Sequence, residues 1–149
     1  MSRPTGAGSA TPGYSGTPLP AKLGIGEGSA VVLVHPPEGF DDVLVPLPGA
    51  VKVTRRLPPS GRRKIDVAVL FTTSHADLAH RFAGVAGILH PAGGLWVAWP
   101  KRTSGTPTDL TENVVREVGL AHGLVDNKVC AITDVWSGLR FVVRLKDRP

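Results

Sequence analysis

Cysteine is nearly absent: Cys130 is the only one among 149 residues. That excludes an intramolecular disulfide and any zinc site built from several thiolates. It lies in the apolar run Val129-Cys130-Ala131-Ile132, where a buried, inert thiol is the expectation. The five histidines are scattered. They show no His-x-x-x-His spacing and no Cys-x-x-Cys accompanies them, so no metal site is expected. Glycine is plentiful, yet no Gly-x-Gly-x-x-Gly occurs, which removes the dinucleotide fingerprint. No Gly-x-Ser-x-Gly elbow is present for a hydrolase nucleophile. Aromatic residues make up only 5% of the chain. No apolar run approaches membrane-spanning length. The first residues lack the apolar core of a signal peptide, and a cytoplasmic protein is expected.

What is present suits one domain. The chain is 42% hydrophobic, enough for a real core, and carries a formal charge of +5. A weak attraction to anions follows: a nucleotide, a phosphate, nucleic acid or an acidic partner. Residues 1–16 are small, polar and rich in Gly and Pro, and read as a flexible tail. Residues 17–149 then form a single domain. Pro18 to Leu23 predicts one short helical turn closed by Gly24.

Ser29 to His35 is a continuous β-branched run, expected of a strand buried on both faces. Ala50 to Arg55 alternates and predicts a short edge strand. Ile65 to Phe71 is a second apolar strand, broken only by Asp66. Ser74 is placed to cap a helix, with Asp77 three residues on. Leu78, Phe82, Val85, Ala86 and Leu89 then share one helical face, stopping at Pro91. Gly93-Gly94 reads as a turn into the strand Leu95 to Trp99. Asp109 and Glu112 read as the cap of the next helix, with Val114, Val115, Val118 and Ala121 as its stripe and Gly123 beyond its end. Lys128 to Val135 and Leu139 to Leu145 read as a hairpin turning at Trp136-Ser137-Gly138.

Strand and helix alternate, then a hairpin closes the chain. The expected fold is α/β: a Rossmann-like three-layer sandwich with a mostly parallel sheet ending in an antiparallel pair. Ligands on such sheets bind beyond the C-terminal strand ends. That rule selects His35, Glu38 and Gly39 after the first strand, and Ser74 and His75 after the next buried one. It adds Trp99, Lys101, Thr103, Ser104 and Asp109 after the glycine-led strand, and Trp136 at the hairpin. No catalytic pair stands out among them.

The element order resembles the class I methyltransferase fold. His90-Pro91-Ala92-Gly93-Gly94-Leu95-Trp96-Val97 looks like the turn that precedes the fifth strand there. The resemblance implies S-adenosylmethionine as cofactor, but two departures from its pattern argue against it. The turn where that cofactor needs glycine is His35-Pro36-Pro37-Glu38-Gly39, and its prolines remove two N–H donors. Where the ribose hydroxyls need an acid after the second strand, Arg55-Arg56 stands instead.

Longer stretches resemble domain-of-unknown-function family 3052, found mainly in high-GC Gram-positive (actinobacterial) organisms. They are Gly13-Tyr14-Ser15-Gly16-Thr17-Pro18-Leu19, Lys22-Leu23-Gly24-Ile25, Pro37-Glu38-Gly39-Phe40, and Trp99-Pro100-Lys101 through Thr108-Asp109-Leu110-Thr111-Glu112. The likeness continues in Gly123-Leu124-Val125-Asp126-Asn127-Lys128-Val129-Cys130-Ala131 and Trp136-Ser137-Gly138-Leu139-Arg140-Phe141. It implies no activity, cofactor or catalytic residue. The leading expectation is therefore a non-catalytic module that binds a protein partner or an anionic small ligand. The alternative is a divergent S-adenosylmethionine-dependent methyltransferase. A third is nucleic-acid binding through Arg62-Arg63-Lys64, which lacks the interleaved aromatics that such surfaces carry.

Overall fold

The computed structural model describes residues 17–59 and 61–148. The expected tail over 1–16 lies outside them. Proline at the start and Gly24 at φ +85° bound helix α1, Leu19–Leu23. The β-branched run forms strand β1, Ala30–Val34. Helix α2, Phe40–Leu44, starts after Gly39, and the edge strand β2 is Lys52–Thr54. Strand β3, Ile65–Phe71, matches its apolar run. Asp66 is accommodated there because its carboxylate accepts from the Ala30 N–H at 2.8 Å, at the start of β1.

Helix α3 spans His75–Ala86 and strand β4 spans Leu89–Pro100. Helix α4, Glu112–Ala121, leads to β5, Leu124–Ala131, and β6, Trp136–Val143. The six strands lie in the order β2-β1-β3-β4-β6-β5. β2, β1, β3 and β4 are parallel; β6 runs antiparallel to β4 and β5. This is the expected Rossmann-like α/β sandwich.

The two-residue period of the strands sorts the core into two layers. Val32, Val34, Ala68, Leu70, Leu95, Val97 and Trp99 face α3 and α4. Val31, Leu33, Val67, Val69, Phe71, Trp96 and Ala98 face α1 and α2. Leu78, Phe82 and Val85 of α3 are essentially water-free, each contributing on the order of 1.5–3 kcal/mol through burial. Among the described residues no helix is long and apolar enough to cross a membrane.

Four expectations about local structure need correction. Helix α3 ends at Ala86, before Pro91, because the sheet recruits the next residues: the Ile88 carbonyl accepts from the Ile65 N–H. Gly93-Gly94 is no turn but part of β4. Along β3 the pairing steps from Ile65 to Val67 while β4 advances from Leu89 to Gly94, a bulge. A Cβ on Gly93 would sit 2.7 Å from the Asp66 carbonyl oxygen, so the glycine serves close backbone approach. The hairpin turns at residues 132–135, where the Thr133 hydroxyl accepts from the N–H groups of Val135 and Trp136. Gly138 lies within β6, and its missing Cβ makes room for Ile132 and the Trp96 indole. The cap of α4 is the fourth correction: it is Thr111, whose hydroxyl accepts from the Val114 N–H at 3.2 Å.

Candidate functional site

Where the sheet order reverses, β1 and β3 send their continuations to opposite sides and leave a crevice at their C-terminal ends. His35 closes β1 with φ +56°, an uncommon conformation for a non-glycine residue. Pro36 and Pro37 follow, and Gly39 at φ +84° starts α2. Space beyond the Gly39 Cα is open. His35, Glu38 and Gly39 are all exposed.

Across the crevice Thr72, 4% exposed, donates from its hydroxyl to an Asp77 carboxylate oxygen at 2.8 Å. Arg81, one helical turn on, grips the other oxygen at 2.7 Å. Burial pushes the Asp77 carboxyl up. The hydrogen bonds from Thr72 and Arg81 and the positive charges of Arg81 and His35 outweigh it, leaving the pKa below the usual carboxylate value. Sequence reasoning saw Asp77 only as part of a helix cap. The i,i+4 spacing of Asp77 and Arg81 was its one legible signal.

Arg55, which follows β2 where an acid was sought, pairs with a carboxylate from elsewhere in the chain. Asp41 of α2 reaches Arg55 there, at 2.7 Å, in an exposed pair. Asp42 and Glu38 are exposed nearby in sequence and make no ion pair among the described residues. The turn thus offers carboxylates and an unobstructed glycine corner, with backbone N–H groups only from Glu38 onward. These residues fit a cationic, hydroxyl-bearing ligand such as S-adenosylmethionine. Its approach to the backbone would be through Gly39 alone rather than a glycine-rich loop.

A second concavity, of about 520 Å³, lies beside the loop from β4 to α4. Trp99, Pro100 and Leu110 give it apolar wall; Arg102, Thr106 and Asp109 are among its polar lining. The loop is tied back to the β3–α3 turn. Thr108 donates to the Thr73 carbonyl at 2.6 Å, and Asp109 accepts from the His75 N–H at 2.8 Å. Ser74 caps the same helix by accepting from the Asp77 N–H at 3.0 Å. Asp109 therefore caps α3, not the helix that follows it in sequence.

The sequence-selected residues do not form one cluster. His35, Glu38 and Gly39 belong to the crevice; Trp99 and Asp109 line the cleft; Ser74 and His75 join the two. Lys101, Thr103 and Ser104 do not line the cleft. The Lys101 N–H donates to Val135, and the Ser104 hydroxyl is spent on the Lys101 carbonyl in a 3-10 turn over Arg102–Ser104. Trp136 stands edge-on to Phe71 at 5.2 Å and packs into the α1/α2 layer. Arg62, Arg63 and Lys64 precede β3 and so lie at the opposite end of the sheet from the crevice. Cys130 is half-buried, and burial pushes its thiol pKa up. Sequence reasoning also missed Thr106, whose signal was a threonine- and proline-rich loop leaving a buried strand.

No protein-family profile matches the sequence, and no curated relative matches it. Solved structures do resemble it in fold. A SAM-dependent methyltransferase from Aquifex aeolicus superposes with TM-score 0.61 at 14% identity, over 83% of this chain and 87% of its own. A Sulfolobus solfataricus protein assigned to the type 11 methyltransferases gives 0.59 at 14%, over 87% and 91%. The 1,6-didemethyltoxoflavin-N1-methyltransferase of Burkholderia thailandensis, solved with S-adenosylhomocysteine, gives 0.55 at 15%, over 83% and 73%. These likenesses correct the expectation of a non-catalytic module: the solved structures that share its fold are methyltransferases. The chain has the Rossmann-like α/β fold of the class I methyltransferases.

Proposed function

We propose that this chain is a divergent S-adenosylmethionine-dependent methyltransferase, cytoplasmic and of domain family 3052. The observation that carries the reading is the β1/β3 crevice. It joins the topological switch point of the sheet to an open left-handed glycine, Gly39, and to exposed carboxylates on Glu38, Asp41 and Asp42. S-adenosylmethionine supplies an electrophilic methyl group on a positively charged sulfur. The chain's own part is to hold that cation and its ribose hydroxyls. Glu38 and Asp42 are free of ion pairs among the described residues and can face positive charge. Asp41 pairs with the side chain of Arg55, the residue after β2, and this exposed partner holds it only weakly, leaving its carboxylate available as a diol acceptor. Thr72 and Arg81 keep Asp77 ionised on the far wall.

The test is isothermal titration of the full chain with S-adenosylhomocysteine and S-adenosylmethionine. Saturable binding is expected, weakened at least tenfold by Asp41→Ala and by Glu38→Ala and unchanged by Glu117→Ala on the outer face of α4. An absence of saturable binding, or affinities indifferent to the crevice substitutions, overturns the proposal.

A further inference from the structure

The cleft beside the β4–α4 loop contains polar groups of two kinds. Several are already committed. Thr108 donates to Thr73 and accepts from the Leu110 N–H; Glu112 is held by Arg116 at 2.6 Å; Thr111 accepts from Val114. Others are not. Arg102 is exposed and makes no ion pair among the described residues. Asp109 uses Oδ1 for the His75 N–H, which leaves Oδ2 to accept from a ligand. A free cation and a partly free carboxylate thus line one cleft without pairing with each other.

The geometry points to a site for a small zwitterion with an apolar body. Its anionic group meets Arg102, its ammonium meets Asp109, and its body lies against Trp99, Pro100 and Leu110. A polyanion such as a nucleotide would face the carboxylates of Asp109 and Glu112, and a simple cation would face Arg102. A neutral ligand would cover both charges and satisfy neither. The volume, about 520 Å³, suits a small molecule. Naming this zwitterion as the methyl acceptor rests on the methyltransferase reading; its binding does not.

The experiment is calorimetric titration of the full chain with L-phenylalanine, phenethylamine and 3-phenylpropionate, each with and without saturating S-adenosylhomocysteine. Phenylalanine is expected to bind at least tenfold more tightly than either singly charged analogue. Arg102→Ala, on an exposed turn, should erase its advantage over phenethylamine. Asp109→Asn keeps an oxygen for the His75 N–H and should erase the advantage over 3-phenylpropionate. Equal affinities for the three probes, no binding of any, or indifference to both substitutions overturns the inference. Zwitterion preference without S-adenosylhomocysteine binding supports this site and overturns the methyltransferase reading. S-adenosylhomocysteine binding without zwitterion preference overturns only this site.

Discussion

Replacing Asp109 by alanine removes an acceptor that α3 takes from a loop 34 residues away. The His75 N–H is the first of the helix and has no intrahelical partner. Loss of a capping acceptor costs about 0.5–2 kcal/mol. Because the site is exposed and water can replace the carboxylate, the lower half of that range applies, about 0.5–1 kcal/mol. For a chain of this size that lowers Tm by about 1–4 °C. Ser74→Ala removes a second acceptor from the same helix end and should cost about 1 kcal/mol. Thr111→Ala uncaps α4 instead, with a similar loss. Urea unfolding gives the free energies, and amide exchange locates them. Exchange at His75 should quicken in Asp109→Ala and not in Thr111→Ala. Asp109→Asn, which keeps the oxygen, should retain most of the stability. If Thr111→Ala is silent and Asp109→Ala speeds exchange in the first turn of α4, then Asp109 caps the helix that follows it and the reasoning fails.

Three further outcomes are expected. Trp96→Phe should destabilise by about 1–3 kcal/mol in urea melts, because the buried indole N–H donates to the Leu23 carbonyl, which would be left unpaired. Gly119→Ala should cost about 1–3 kcal/mol by overpacking, since its Cβ would run into the Phe141 ring; Gly84→Ala, with open space on the same sheet face, should not. Asp77 has a folded pKa below its unfolded one, so its contribution is complete above the ordinary carboxylate range and is lost as pH falls through the folded value. Stability of the wild type should therefore drop more steeply than that of Asp77→Asn on acidification below about pH 4, and equal slopes in urea midpoints against pH would refute the assignment.

The central strands were legible because their periodicity is local. Val31 to Val34 and Val67 to Phe71 are apolar on both faces, which only a doubly covered strand can use. Helix α3 was legible from Ser74 and its stripe, and the overall order from alternation and the closing hairpin. The two uses of glycine in β4 and β6 were not. Gly93 and Gly138 look like turn residues until the atoms they admit, the Asp66 carbonyl and the Trp96 ring, are known. The crevice was half-read. His35, Glu38 and Gly39 follow a recognisable strand, but the pairing of Asp41 of α2 with Arg55 after β2 joins two different elements.

What the sequence determined by itself is therefore the layering: which runs are buried, on how many faces, and in what alternation. Hydrophobic period and turn chemistry act between neighbours in the chain, so they can be read from neighbours. Tertiary structure decided the pairings that span the chain. It gave the α3 cap to Asp109, held Asp77 between Thr72 and Arg81, paired Asp41 with Arg55, and separated the crevice from the cleft. Hydrogen bonds and ion pairs act over about 3 Å, and no spacing in the sequence encodes which distant loop the fold will bring within that reach.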